Sequence, residues 1–163
     1  MQTALDTIVQ FLRSIGLVVE PAMLDDDTFL PAVRIVNGAL HYDPKRLQTP
    51  GDLLHEAGHI AITPADARPS LSDALDDEQP DAMTDEVEAI AWSWAALVYL
   101  GLPGEVLFHP AGYKGRAAEL LMSYSLGVHP GAAGLARIGL CDLPAQAAAK
   151  GGPAYPFMQR WLR

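Results

Sequence analysis

Apolar residues recur at helical spacing from the start of the chain. Leu5, Ile8, Phe11, Leu12 and Ile15 share one face, and Gly16 follows as a stop, so the chain is expected to open with an amphipathic helix. Leu17, Val18 and Val19 read as a short strand closed by Pro21, and Asp25, Asp26 and Asp27 as an acidic loop. Two β-prone runs follow, residues 32–36 and 39–42, separated by Asn37-Gly38. Both turn residues tolerate the positive φ of a tight turn, so this pattern predicts a hairpin, with Pro44 ending its second strand. The period then returns to helical. Thr49 is placed to cap a helix, Pro50 suits its first position, and Asp52 gives a capping-box-like pattern with Thr49 and complements the positive end of the helix dipole. Thr63-Pro64 ends that helix. Residues 64–84 are rich in Asp, Pro and Ser and read as a surface excursion or flap. A strongly apolar helix is expected over 85–100, with Trp92 and Trp94 in the core, before Gly101-Leu102-Pro103-Gly104. Beyond it Glu119, Leu120, Leu121 and Tyr124 fall on one helix, and residues 155–162 form an aromatic tail. With no repeat and no boundary visible, the pattern reads as an α+β chain, mostly helical, with a small antiparallel β-sheet in a single domain over 1–163.

Composition narrows the partners. Half of the 163 residues are hydrophobic and 19% are charged, which suits a buried core rather than a disordered chain. The net charge of −9 and the lack of any basic run argue against a direct nucleic-acid partner. The longest apolar stretch, residues 89–102, is too short to span a bilayer and is interrupted by Ser93, so no membrane role is expected. No basic and apolar leader opens the chain, and Cys141 is a lone thiol without an internal partner. Both fit a cytoplasmic protein in a reducing compartment. Cys141 reads as a packing residue.

The chemistry concentrates in His55-Glu56-Ala57-Gly58-His59. Residues at i and i+4 of a helix lie one turn apart on one face, so His55 and His59 can aim two imidazoles at a single ion. Glu56 sits where a carboxylate can act as general base towards a metal-bound water. Zinc in such a site takes three protein ligands and keeps one position open. Ala57 and Gly58 are small, which lets another element pack closely behind the helix. A third ligand is sought at the acidic opening of the next helix, where Glu86 and Glu88 both qualify; either carboxylate also complements that helix's dipole. His109 and Tyr113, in the Gly/Pro-rich run 107–114, are candidates to donate to an oxyanion, although a loop His and a packing Tyr explain them as well. His129 reads as a turn residue. Arg34, His41 and Tyr42 on the hairpin read as structural, while the edge of that hairpin offers a place for an extended peptide to add as a strand.

HExxH followed, after a gap, by Glu-x-x-Ala with aromatic and small residues resembles the ImmA/IrrE-type minimal gluzincins over about residues 32–103. The resemblance implies a zincin-like fold with an HExxH active-site helix. Matched by position, it implies Glu86 as the third ligand, Ala89 as the Ala and Trp92 at the aromatic position. Ile90 stands where the family has Asn, so orientation of a ligand would have to come from another group. The implied activity is that of a zinc metallopeptidase acting on a peptide or protein substrate, with Zn2+ on His55, His59 and Glu86 and water activated by Glu56. The family also implies a transcriptional repressor as a possible partner, on a separate chain, since no helix-turn-helix segment is evident. A peptide-deformylase-like hydrolase would need a Cys ligand upstream of the motif, whereas Cys141 lies downstream. The non-enzymatic alternative is a zinc-binding regulatory or protein-interaction module.

Overall fold

The computed structural model describes residues 3–25, 30, 32–72 and 82–163, with backbone alone for 82–85. Asp26, Asp27 and residues 73–81, the middle of the expected excursion, lie outside these. Helix α1 spans Ala4–Ser14 and opens on a reciprocal cap in which the Thr3 hydroxyl accepts from the Asp6 N–H and the Asp6 carboxylate accepts from the Thr3 N–H. It buries Ile8, Val9, Phe11 and Leu12, and Gly16 at φ 98° turns the chain away.

Three short strands follow: β1 (Val19–Pro21), β2 (Val33–Val36) and β3 (Ala39–Tyr42). The β2–β3 hairpin forms at Asn37-Gly38, both with positive φ, in the register Val36 opposite Ala39. The expected purely antiparallel sheet is corrected: β1 pairs with β3 in parallel, giving a mixed sheet of order β1-β3-β2. The hairpin leaves one side of β3 open, and β1, arriving from α1, fills it in the same direction as β3. Pro21 is tolerated because β1 is an edge strand, where a missing N–H costs no ladder bond. β1 also starts two residues later than the hydrophobic run suggests. Apolar residues from α1 and the inner sheet face, among them Ile8, Leu12, Val33, Ile35 and Leu40, meet Leu53, Leu54 and Ile60 of α2 (Gly51–Ile62).

Helix α2 begins one residue late relative to the sequence reading. Pro50 takes the capping position, in helical geometry, and makes no side-chain cap. Thr49 does meet Asp52, but its hydroxyl bonds the Asp52 carboxylate while the Asp52 N–H goes to the Thr49 carbonyl. Helix α3 (Ala82–Tyr99) starts three residues before the acidic run that announced it. Helices α4 (Ala117–Ser125), α5 (Ala132–Arg137) and α6 (Pro144–Lys150) complete the chain, with single 3-10 turns at Arg68–Ser70, Gly104–Val106 and Tyr113–Gly115. The protein is thus a mixed α+β structure with a three-stranded sheet. Among the described residues no helix is long and apolar enough to cross a membrane. The aromatic tail is not helical. Its Trp161 lies edge-on to Phe11 and Trp92, and its carbonyl accepts the Trp92 indole N–H at 2.9 Å. Trp92 and Trp94 are both buried.

Candidate metal centre

The site is made by the packing of α2 against α3. Gly58 faces α3 so closely that a Cβ there would stand 2.6 Å from the Ala89 carbonyl oxygen, and only glycine allows the approach. Ser93, one turn further along α3, donates to the Leu54 carbonyl at 3.0 Å. With Ala89 and Ser93 held against α2, Glu86 occupies the same α3 face one turn earlier and comes to lie over the histidines.

Its two carboxylate oxygens divide between them. Oε1 lies 3.3 Å from His55 Nε2 and Oε2 lies 3.2 Å from His59 Nε2, while the two Nε2 atoms are 3.3 Å apart. Bonds of about 2.0–2.1 Å at tetrahedral angles place neighbouring ligand atoms about 3.3–3.4 Å apart. The two imidazole nitrogens already have that spacing, and each has it to one of the Glu86 oxygens. The imidazole planes stand nearly perpendicular, at 87°, so both ring edges can address one point without stacking. Glu56 is buried beside them, and His55, Glu56 and His59 each bring a ligand atom within 4.8 Å of the others. This buried His–Glu–His group could hold a metal ion. Exposure is graded across it: the His55 side chain is 9% exposed, His59 25% and Glu86 42%. The ligand face therefore opens to solvent on the Glu86 side, where a small molecule can reach it.

Electrostatics follow from the same contacts. Burial disfavours charge on His55, but its hydrogen bond to Glu86 and the nearby charges of Glu86, Glu56 and Asp52 outweigh that and raise its pKa. Burial would likewise favour a neutral Glu86, yet the two imidazoles hold its carboxyl far below the usual carboxylate range. Glu86 is thus an anion, and protons and a metal would compete for the same imidazole nitrogens.

Glu88, the other carboxylate at this helix end, goes elsewhere. It is buried, accepts from Arg137 Nη2 at 2.9 Å and lies against Gly134 on α5. Ile90 is buried in the core, and His55 Nδ1 is buried with no hydrogen-bond partner among the described residues. Ile90 thus serves packing and makes no polar contact to the histidines.

Tyr113 reaches the site and His109 does not. The Tyr113 ring stands edge-to-face against His55, centroids 5.6 Å apart. Burial, with the negative charges of Asp52, Glu86 and Glu56, pushes its pKa up, so the phenol stays a hydrogen-bond donor at any working pH. His109 is drawn one turn down α2, where its Nε2 donates to Asp52 Oδ1 at 2.8 Å. Asp52 therefore holds the loop that carries Tyr113, a role the sequence reading missed by treating Asp52 only as a helix-start residue, in a capping-box-like pattern and as a dipole complement. His129 packs on Tyr124 and Tyr155 and contacts the Tyr124 carbonyl, away from the centre. Burial pushes the Cys141 thiol up to about 11, which makes it an inert packing group.

Two clefts lie along α2, on either side of the His55–His59 group. One of about 230 Å³ is lined by His59, Ile62, Thr63, Pro64, Leu71 and Arg163. The other, about 480 Å³, lies past the opposite end of the helix and includes Lys45, Thr49, Asp52 and His109. No family model matches the chain, and neither the curated proteins nor the solved structures include a match to it.

Proposed function

We propose that this protein is a zinc-dependent metallohydrolase with a zincin-like active-site helix, and that it is a peptidase. The observation that carries the reading is the pair of imidazole nitrogens, His55 Nε2 and His59 Nε2, 3.3 Å apart, each with one of the two Glu86 oxygens at 3.2–3.3 Å, and a second carboxylate, Glu56, buried alongside. Two imidazoles and one carboxylate are the donor set of catalytic zinc sites that keep a position open. When bound, zinc supplies Lewis acidity and lowers the pKa of a water towards about 7.

The chain's own residues supply the rest. His55, His59 and Glu86 hold the ion. Glu56 accepts the proton of the attacking water and returns it to the leaving amine. Tyr113 donates its phenolic hydrogen to the oxygen on which negative charge develops. The clefts on either side leave room for chain on both sides of the scissile bond, and β2 is an edge strand to which an extended segment can add. The substrate is a peptide or protein segment, for which a transcriptional repressor is the candidate that the family resemblance supplies.

The test combines elemental analysis with a screen of unstructured peptides. We expect about one zinc per chain and cleavage that is lost in Glu56→Gln while zinc content is unchanged. Retained hydrolysis in that variant would sink the mechanism. Zinc without cleavage of any peptide would assign the protein as a binding module, and a chain that takes up no zinc would overturn the reading altogether.

A further inference from the structure

Arg163 stands in the smaller cleft as the only formally charged side chain among the described residues that line it, on a wall shared with His59. The end of α2 explains how it gets there. The Arg163 N–H donates to the Ala61 carbonyl at 2.9 Å, and Arg68 donates to the carbonyls of Thr63 and of Arg163 itself. The last turn of α2, the negative end of its dipole, is thereby capped by two arginine residues. That structural duty uses little of the Arg163 guanidinium. Among the described residues its side chain makes one long bond, Nη1 to the Ile62 carbonyl at 3.5 Å, and no side-chain carboxylate pairs with it.

A guanidinium carries five N–H donors in a planar fork that matches a carboxylate. Arg163 is itself exposed, and its remaining donors border a pocket whose other described walls are apolar (Ile62, Pro64, Leu71) or neutral (Thr63). The volume corresponds to about seven or eight waters, enough for one short side chain or chain end. A net charge of −9 makes the location more telling. Long-range attraction of an acidic peptide is not available to this molecule, so a local cation fixes register once the peptide is bound.

We propose that the His59-side cleft is a carboxylate subsite in which Arg163 binds an acidic group of the substrate next to the scissile bond. The ligand chemistry is a carboxylate, borne by an Asp or Glu side chain or by a peptide C-terminus. The proposal rests on the peptidase reading for its place in catalysis, but the binding itself does not require turnover.

The experiment therefore reads binding first. The protein is titrated with N-acetylglutamate α-amide, with N-acetylglutamine α-amide and with N-acetylalanine, following the Arg163 Nε–H and the Ile62 and Leu71 methyl signals by NMR. We expect the two carboxylates to shift these signals and the glutamine compound to bind at least about tenfold more weakly, as for loss of a hydrogen bond to a charged group. Arg163→Gln keeps a donor for the Ile62 carbonyl but no charge, and it should abolish the preference. Arg163→Lys keeps the charge and should retain part of it. Equal shifts with the glutamine compound, or a preference surviving in Arg163→Gln, overturn the proposal.

Cleavage of matched peptides then separates the sources. A Glu-to-Gln exchange that raises KM points to a side chain, and amidation of the C-terminus that raises KM points to a chain end. If zinc does not bind, the peptidase reading fails while the NMR titration still decides the subsite. If zinc binds and peptides are cut with no carboxylate preference, only the subsite is lost.

Discussion

Glu86 and Glu88 lie two positions apart on α3 and face different neighbours, which turns the choice between them into a measurement. Glu86 divides its oxygens between two imidazoles, whereas Glu88 is held by Arg137 against α5. Glu86→Gln should lower zinc affinity by about 100-fold or more, because an anionic ligand is lost. Glu88→Gln should leave zinc affinity within a few-fold and lower stability by about 1 kcal/mol. The cost is small because Arg137 is 69% exposed and water screens the pair. Competition against a zinc-chelating dye and urea denaturation measure the two effects. The opposite pattern, zinc lost with Glu88 and kept without Glu86, would move the ligand. Gly58 belongs to the same scale. A methyl group 2.6 Å from the Ala89 oxygen forces α2 and α3 apart. Gly58→Ala should therefore cost about 1–3 kcal/mol and weaken zinc binding together, since Glu86 rides on α3.

At the scale of elements, the run 107–115 shows what spacing along a sequence conveys and what it omits. His109 and Tyr113 were equal candidates there because both can donate to an oxyanion. The fold separates them: Asp52 takes His109, and the bond holds the loop so that Tyr113 meets His55. Gly112 is part of the device, since a Cβ there would press on the His109 ring at 3.0 Å. Tyr113→Phe should lower kcat by about 10²-fold with zinc affinity unchanged. His109→Ala should lower kcat less. If His109 acts only by placing Tyr113, the double variant is no slower than Tyr113→Phe, and a multiplicative loss would give His109 a separate role.

The helix pair was legible because its signals are local: two imidazoles at i and i+4, small residues between them, and a proline after. The hairpin was legible from Asn37-Gly38 for the same reason. What stayed hidden depends on contacts distant in sequence. Nothing near β1 says that it will lie parallel to β3, nothing near Asp52 announces a histidine 57 residues later, and Arg163 meets α2 about a hundred residues from its partners.

At the scale of the whole molecule, the candidate metal centre sits on a frame that does not depend on it. The core that joins α1, the sheet, α2 and α3 is apolar and includes the fully buried Leu12, Leu40, Leu54, Ile60 and Trp92. Removing zinc should therefore leave a folded chain of lower melting temperature, unlike small domains that fold only around their metal. A ligand at 100 times its Kd stabilises the native state by about 2.7 kcal/mol. That increment should itself depend on pH, with a sign set by His55. In the metal-free protein its pKa is raised above the ordinary imidazole value by Glu86 and the neighbouring carboxylates, against the effect of burial. A raised pKa stabilises the metal-free fold fully below about pH 6.5, the unfolded value, and that contribution fades as pH rises through the folded value. Zinc needs the neutral ring, so the proton and the ion compete up to a pH above 6.5, while Glu86, held ionised, does not compete until strongly acid solution. The difference in melting temperature between zinc-loaded and metal-free protein should thus be small at pH 5.5 and grow towards pH 8. A difference that is flat over this range, or that shrinks as pH rises, would mean that the imidazoles of α2 do not carry the metal.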